Sequence, residues 1–376
     1  IKYKFMDKRN NIKVGFCTTT INIPFFLEKF AINFLKNKHK NIIFYVIGDY
    51  KTPKKAEKFV KELNKKYPYE FRYYDIYKIK QIFRYENKLK RLIKFYSGIM
   101  KFIGVYLSYK EDCKLCLQID DDNFILEKDY LGEAKKILHK NKITLLKSTN
   151  GWSNIYHYIK ERNNLDIYPR AYPWSKRFQK NNDIKIKKII KPVFFNGTVL
   201  GDPDIDAIAR LNNDIYVTGF RNKNMNYFGL YPGTWTSFNN QNSGLIKELV
   251  PAYFTPYSTG RNADIWASYM ICKIIEIHKN TVSFGRPVVK QIRNPHNLWQ
   301  DLKDELKNDI LTDKFTQMLK RLKIKKRQTY LLTCEEICKK ALEYLRVEMS
   351  DLNKSDKDYI RNFFKEYLLW IKIFKN

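Results

Sequence analysis

No apolar run in this chain of 376 residues approaches the ~20 residues that a membrane-spanning helix needs. The opening residues, IKYKFMDKRNNIKVGF, lack the apolar core of a secretory signal peptide. A cytoplasmic protein is therefore the expectation, with peripheral attachment to the inner face of a membrane left open by the charge. Cysteine is scarce as well. Cys17, Cys113, Cys116, Cys272, Cys334 and Cys338 are too few and too scattered for a secreted disulfide framework. Cys113 and Cys116 have CxxC spacing, but the other close pair, Cys334 and Cys338, lies far along the chain in a different kind of segment. Buried thiols are expected rather than a zinc or redox centre. No GxGxxG loop and no GxxxxGK(S/T) loop occurs, so neither a dinucleotide fold nor a P-loop is supported. Internal repeats and low-complexity linkers are also missing.

Acids are outnumbered. The 39 Asp and Glu stand against 71 Lys and Arg, a formal charge of +32. Such a field attracts nucleotides, diphosphates, anionic lipid or nucleic acid without distinguishing them. A lysine-rich composition with no functional meaning is the plain alternative for any one surface residue. Hydrophobic residues make up 44% and aromatics 15%, enough for one large domain and a smaller one.

What is present has a repeating layout. Residues 12–20 (IKVGFCTTT) form an apolar run ending in hydroxyls, followed by a helical face marked by Phe26, Phe30, Ile32 and Phe34 behind Pro24. Residues 41–53 (NIIFYVIGDYKTP) repeat the design, with a strand stopping at Gly48-Asp49 and a Lys-rich helix starting near Pro53. Strand, helix, strand, helix at this spacing predicts an α/β fold on a parallel, doubly wound sheet, whose ligands bind at the carboxyl ends of the strands. Thr18, Thr19 and Asp49 fall on that edge.

Residues 72–110 carry ten Lys or Arg and two acids. Within them, ENKLKRLIKFYSGIMKFIGVYL has helical apolar spacing through Leu89, Leu92, Ile93, Tyr96, Ile99, Met100 and Ile103. Arg84, Lys88 and Arg91, at or near the start of that helix, are placed to meet phosphate; a solvated basic face is the competing reading. Residues 150–260 change texture to short apolar pieces rich in Gly, Pro, Asn and aromatics, the texture of a binding surface. Trp174 and Trp235 suit a sugar ring or a base, or plain core. GRNADIWASYMICKIIEI reads as a helix with Asp264 in its first turn. Beyond about Asp301 the chain is helical. Leu302, Leu306, Ile310, Phe315, Leu319 and Leu322 share one face, and the last helix interleaves an aromatic face with Arg361, Lys365, Lys372 and Lys375. That helix suits either an anionic membrane surface or packing on the main domain.

The stretch CLQIDDDNFIL sets Asp120, Asp121 and Asp122 directly behind an apolar strand. Three like charges in a row resist burial unless a cation meets them. Side chains one apart share a face, so Asp120 and Asp122 can hold Mn2+ or Mg2+ bridging a diphosphate, while Asp121 points the other way and accepts hydrogen bonds. An exposed acidic turn is the plain alternative. Asp202, Asp204 and Asp206 in GDPDIDAI form a second acidic group, read mainly as a turn leading into a helix, with metal binding the lesser alternative because Pro203 and the helix onset splay the side chains.

Taken in order, VGFCTTT, VIGDYKTP, LQIDDDNF, YPRAYPWS, FNNQNSGL, GRNADIWASYMICKI and RNPHNLWQDLKDE resemble the landmarks of the reversibly glycosylated polypeptides and UDP-arabinopyranose mutases of plants and their microbial relatives, over roughly residues 13–306. The resemblance implies a GT-A-fold domain over 1–300, leaving 301–376 as a helical extension. It implies a nucleotide-sugar site, with Thr18 and Asp49 near the base and Asp120 to Asp122 on the metal and diphosphate. It further implies a sugar-proximal arginine, Arg170, of the type that becomes reversibly glycosylated, although Ala171 stands where the family has glycine. The family's histidine has no aligned counterpart. Gln291 falls nearest, and His296 is the remaining choice for a third metal ligand. Asp264 is a candidate base for the acceptor hydroxyl, with helix capping as its rival role.

The leading expectation is a metal-dependent glycosyltransferase moving a sugar from a nucleotide donor, UDP first, to a glycan, lipid-linked or polysaccharide acceptor. A UDP-sugar mutase is second. A nucleic-acid-binding protein or nucleotidyltransferase is third, since no nucleic-acid module is recognisable and the basic residues are spread along the chain.

Overall fold

The structure is a computed structural model and describes residues 12–85, 87–93, 98–179, 182–295 and 297–375. Its first half follows the strand–helix rhythm. β1 (Val14–Thr20) is followed by α1 (Phe26–Lys36), β2 (Ile42–Gly48) by α2 (Lys55–Lys66), and β3 (Glu70–Tyr74) by α3 (Ile76–Tyr85), α4 (Asn87–Leu92) and α5 (Lys101–Lys110), before β4 (Leu115–Ile119). These four strands are parallel, in the order β3-β2-β1-β4. β2 and β4 are buried at every position, as strands covered on both faces must be. α5 lies close on β1 because Gly15 has no side chain: a Cβ there would stand 2.5 Å from the Cβ of Ser108.

The second half departs from the all-parallel expectation. β5 (Asn123–Ile125), α6 (Tyr130–Ala134), β6 (Asn141–Ser148), β7 (Ile159–Glu161), β8 (Asp183–Ile190), β9 (Pro192–Gly201), α7 (Ala207–Asn212), β10 (Val217–Phe220), β11 (Tyr227–Leu230) and β12 (Asn242–Ile246) precede α8 (Ala263–His278) and β13 (Thr281–Gln291). The sheet continues from β4 through β12, β9, β13, β11 and β6 to β8. β12 runs antiparallel to both β4 and β9, so the sheet is mixed. The reversal puts the start of β12 beside the carboxyl end of β4, where Asp120 N donates to Gln241 O at 2.9 Å.

Three helices close the chain: α9 (Leu298–Arg321), α10 (Tyr330–Val347) and α11 (Lys354–Ile373). The fold is thus mixed α/β with a C-terminal helical extension. The extension shares the main core instead of forming a separate one. Trp266 of α8 stacks on Phe315 of α9 with ring centroids 4.0 Å apart, and Trp370 of α11 stacks on Phe254 at 4.8 Å.

Three expectations about helices change. The basic stretch is not one helix: α4 ends at Leu92, and a turn at Gly98–Met100 precedes α5, consistent with the low helix propensity of glycine. Tyr96 lies outside the described residues. The aromatic face of α11 is not offered to a membrane, because Phe363, Phe364, Tyr367, Trp370 and Ile371 are all buried against the domain. In α9, Phe315, Leu319 and Leu322 are buried as expected, but Leu306 and Ile310 are exposed. Acidic and polar side chains occupy the inward positions of its first turns. Among the described residues, no helix is long and apolar enough to cross a membrane.

Candidate functional site

A cleft of about 440 Å³ opens at the carboxyl end of β4. Its walls bring together Asp120 and Asp122 from the acidic turn, Gln291 from the end of β13, Asp264 from α8, and Arg170 and Asp204 from the loop-rich region. Lys101, Arg261 and Arg293 complete its charged lining.

The turn is tight, with Asn123 N donating to Asp120 O at 3.2 Å. It fans the three carboxylates apart. Asp121 turns back toward β1, accepting from Thr20 Oγ1 at 2.8 Å and Ile21 N at 3.3 Å. Asp120 faces the cleft and pairs with Lys101, a buried ammonium that also donates to Asn240 O at 3.3 Å. Asp122 accepts from Gln291 Nε2 at 3.0 Å and from Asn123 Nδ2 at 3.0 Å. Burial, then the neighbouring charge of Asp120, pushes the Asp122 carboxyl up to about 6.

Across the cleft, Arg170 is 7% exposed and every N–H of its guanidinium is engaged. Nε and Nη2 grip Asp204 at 3.0 and 3.2 Å, Nη2 also reaches Asp264 at 3.1 Å, and Nη1 donates to Asn262 Oδ1 at 3.0 Å and to Arg261 O. The two carboxylates respond differently. Burial raises Asp264, with Arg170 pulling against it. At Asp204 burial is outweighed by Arg170 and Arg293, which hold the carboxyl at about 2. Asp264 makes no capping bond to a later amide of α8; its Oδ1 accepts from the adjacent Ile265 N at 3.0 Å. Ala171, beside Arg170, has φ 47°, a left-handed backbone in which glycine is the unstrained residue. It is held there by Ala171 N donating to Asp206 Oδ1 at 2.6 Å and by Tyr269 Oη donating to its carbonyl at 2.7 Å.

Other residues singled out from the sequence lie elsewhere. Thr18 is wholly buried in the sheet, its hydroxyl donating to Thr19 O at 3.2 Å. Thr19 and Asp49 sit at the carboxyl ends of β1 and β2 without lining the cleft, and Asp49 Oδ1 accepts from Lys51 N at 2.7 Å. Arg84, Lys88 and Arg91 are exposed away from the cleft walls, and Lys88 donates to Lys372 O of α11 at 3.0 Å. His296 lies outside the described residues. Trp235 is core, with Nε1 donating to Glu276 at 2.9 Å, while Trp174 is 40% exposed under Arg177. All six cysteines are buried free thiols.

Sequence reasoning passed over Lys101, Arg261 and Arg293, and read Asp204 only as part of a turn. Lys101 carried a signal, as a lone charge inside the apolar run GIMKFIGV. Asp202, Asp204 and Asp206 are indeed splayed. Asp202 pairs with Arg210 and Arg293, Asp204 with Arg170, and Asp206 with Arg177.

Asp206 joins Glu305 and Asp309 of α9 in a buried group whose oxygens lie within 4.8 Å of one another and could coordinate a metal ion. Those oxygens already accept from Ala171 N, Arg177, Ala207 N, Arg261 and Asn262. Burial and the other two carboxylates push Asp309 up to about 8, so a proton there offsets one of the three charges near neutral pH. Asp120 and Asp122 form a smaller but more open donor set. Two carboxylates facing a cleft, with the remaining positions left to phosphate oxygens and water, suit a hard cation such as Mg2+ or Mn2+. Compared with known protein families and with curated proteins, the chain matches no family model and no curated sequence.

Proposed function

We propose that this protein is a metal-dependent glycosyltransferase that uses a nucleoside diphosphate sugar, most simply a UDP-sugar, as donor. The observation that carries the reading is the meeting in one cleft of Asp120 and Asp122 with Asp264, held by Arg170, at the carboxyl end of a parallel strand. Asp120 and Asp122 are the residues that would hold Mn2+ or Mg2+. Such an ion supplies neutralising charge for a departing diphosphate. Lys101, Arg261 and Arg293 add fixed positive charge around the same space. Asp264, raised by burial and oriented by Arg170, accepts the proton of the acceptor hydroxyl.

The fully bonded guanidinium of Arg170 favours orientation of carboxylates over service as a sugar acceptor, which supports transfer to an external acceptor. The test is a thermal-shift panel of UDP, CDP and GDP with and without Mn2+. A metal-dependent rise with one of them, lost in Asp120→Ala, is expected. Equal shifts in wild type and variant would remove the acidic turn from the donor site.

A further inference from the structure

α9 is built inside out over its first turns. Asp301, Glu305, Asn308, Asp309 and Thr312 are buried, whereas Trp299, Leu306 and Ile310 are 72%, 51% and 65% exposed. The exposed three recur at spacings of seven and four residues, which keeps them on one face of the helix. The inversion is stable because the inward carboxylates are paired: Arg261 bonds Asp301 at 3.1 Å and Glu305 at 2.6 Å, and Asn262 bonds Asp309.

The apolar stripe has neighbours. On the side of Asp313, which accepts from Ser175 N at 3.1 Å, the adjoining loop presents Trp174 and Phe178, the latter 87% exposed. Lys303 is exposed along the other border, where Lys307 and Lys314 are half-buried and pair with Asp356 and Asp351. Arg261, which lines the cavity, bonds the inward acids of α9, so the helix itself separates the cleft from the exposed stripe.

Tryptophan, phenylalanine and branched aliphatics bordered by lysines whose stems can lie along them are the composition of an element resting in a bilayer interface. A second copy of the chain is the rival occupant. It would set one formal charge of +32 against another, whereas anionic lipid complements that charge. We infer that the outer face of α9, flanked by Trp174 and Phe178, docks the protein on an anionic phospholipid bilayer. That this docking serves a lipid-linked acceptor rests on the transferase reading; the docking itself does not.

Flotation of the full chain with vesicles of phosphatidylglycerol and phosphatidylcholine in equal parts, against pure phosphatidylcholine, tests it. The wild type floats with the anionic vesicles. The triple variant Trp299→Ser, Leu306→Ser, Ile310→Ser keeps the charge and the melting temperature but loses about tenfold or more of its partitioning. Asp122→Ala floats like the wild type, so the cleft and the docking face fail separately. The inference is overturned if the wild type stays with the unbound fraction, if the triple variant floats equally well, or if the wild type is a dimer that the triple variant converts to monomer.

Discussion

Replacing Asp122 by Asn is expected to stabilise the ligand-free protein and, on the proposed function, to weaken binding of metal and nucleoside diphosphate. The carboxyl is raised from 3.8 to about 6, first by burial and then by Asp120. At ~1.36 kcal/mol per pH unit, keeping it ionised in the folded state costs at most ~3 kcal/mol. Solvent reaching the open cleft screens part of this, so the expected gain is nearer ~1–2 kcal/mol. Hydrogen bonding hardly changes. Asn123 Oδ1 has no partner now, and a flip of that amide would let it accept from the new side-chain amide. Gln291 Nε2 would keep an acceptor oxygen at position 122. The sign follows from the raised value. Below pH ~3.8 the carboxyl is protonated in both folded and unfolded chains, and the substitution gains nothing. Between pH ~4 and ~6 the folded protein binds the extra proton, wild-type stability falls as pH rises, and the gain of the variant grows to its full size by about pH 7. Urea unfolding of both proteins at pH 4.5 and 7.5, without metal, measures it. A variant less stable than wild type at pH 7.5, or a difference independent of pH, would show that Asp122 is not held under electrostatic load.

Three further outcomes are expected. Arg170→Ala leaves Asp204 and Asp264 buried without their cation and should cost ~3–5 kcal/mol in urea unfolding; Arg170→Lys should recover only part of this, since an ammonium cannot serve both carboxylates bidentately. Asn297→Ala removes the side chain that accepts from Trp299 N and Gln300 N at the start of α9 and should cost ~1 kcal/mol, read as a drop in the urea midpoint at unchanged slope. An aromatic disulfide reagent should label none of the six cysteines in the native protein and all of them in guanidinium, because every thiol is buried; rapid native labelling would place at least one at the surface.

The sequence made the first half of the fold readable because each of its elements carries its own period. The strands at Val14 and Ile42, the helices behind them, the strand ahead of Asp120 and the helix that begins at Ala263 stand where the residue pattern put them. Asp121 and its two neighbours do point opposite ways, as expected, but in a tight turn just past β4 and not by strand alternation. What could not be read depends on long-range pairing. The partners of Arg170 lie 34 and 94 residues away, at Asp204 and Asp264, and no local pattern couples them. The antiparallel insertion of β12 next to β4 is likewise a choice of neighbour. α9 misled for a related reason. Its buried acids recur with the same period as a core face, and only Arg261, Arg170 and Arg177, brought in from other segments, make that burial affordable.

The Trp266–Phe315 stack and the two bonds from Arg261 to Asp301 and Glu305 tie the rim of the cavity to residues that come last in the chain. A shortened version stopping before Leu298 would therefore strip an indole of its cover and release an arginine that now helps shape the pocket. Head and tail of this polypeptide are one mechanical piece, and changes in either must be accommodated by the other.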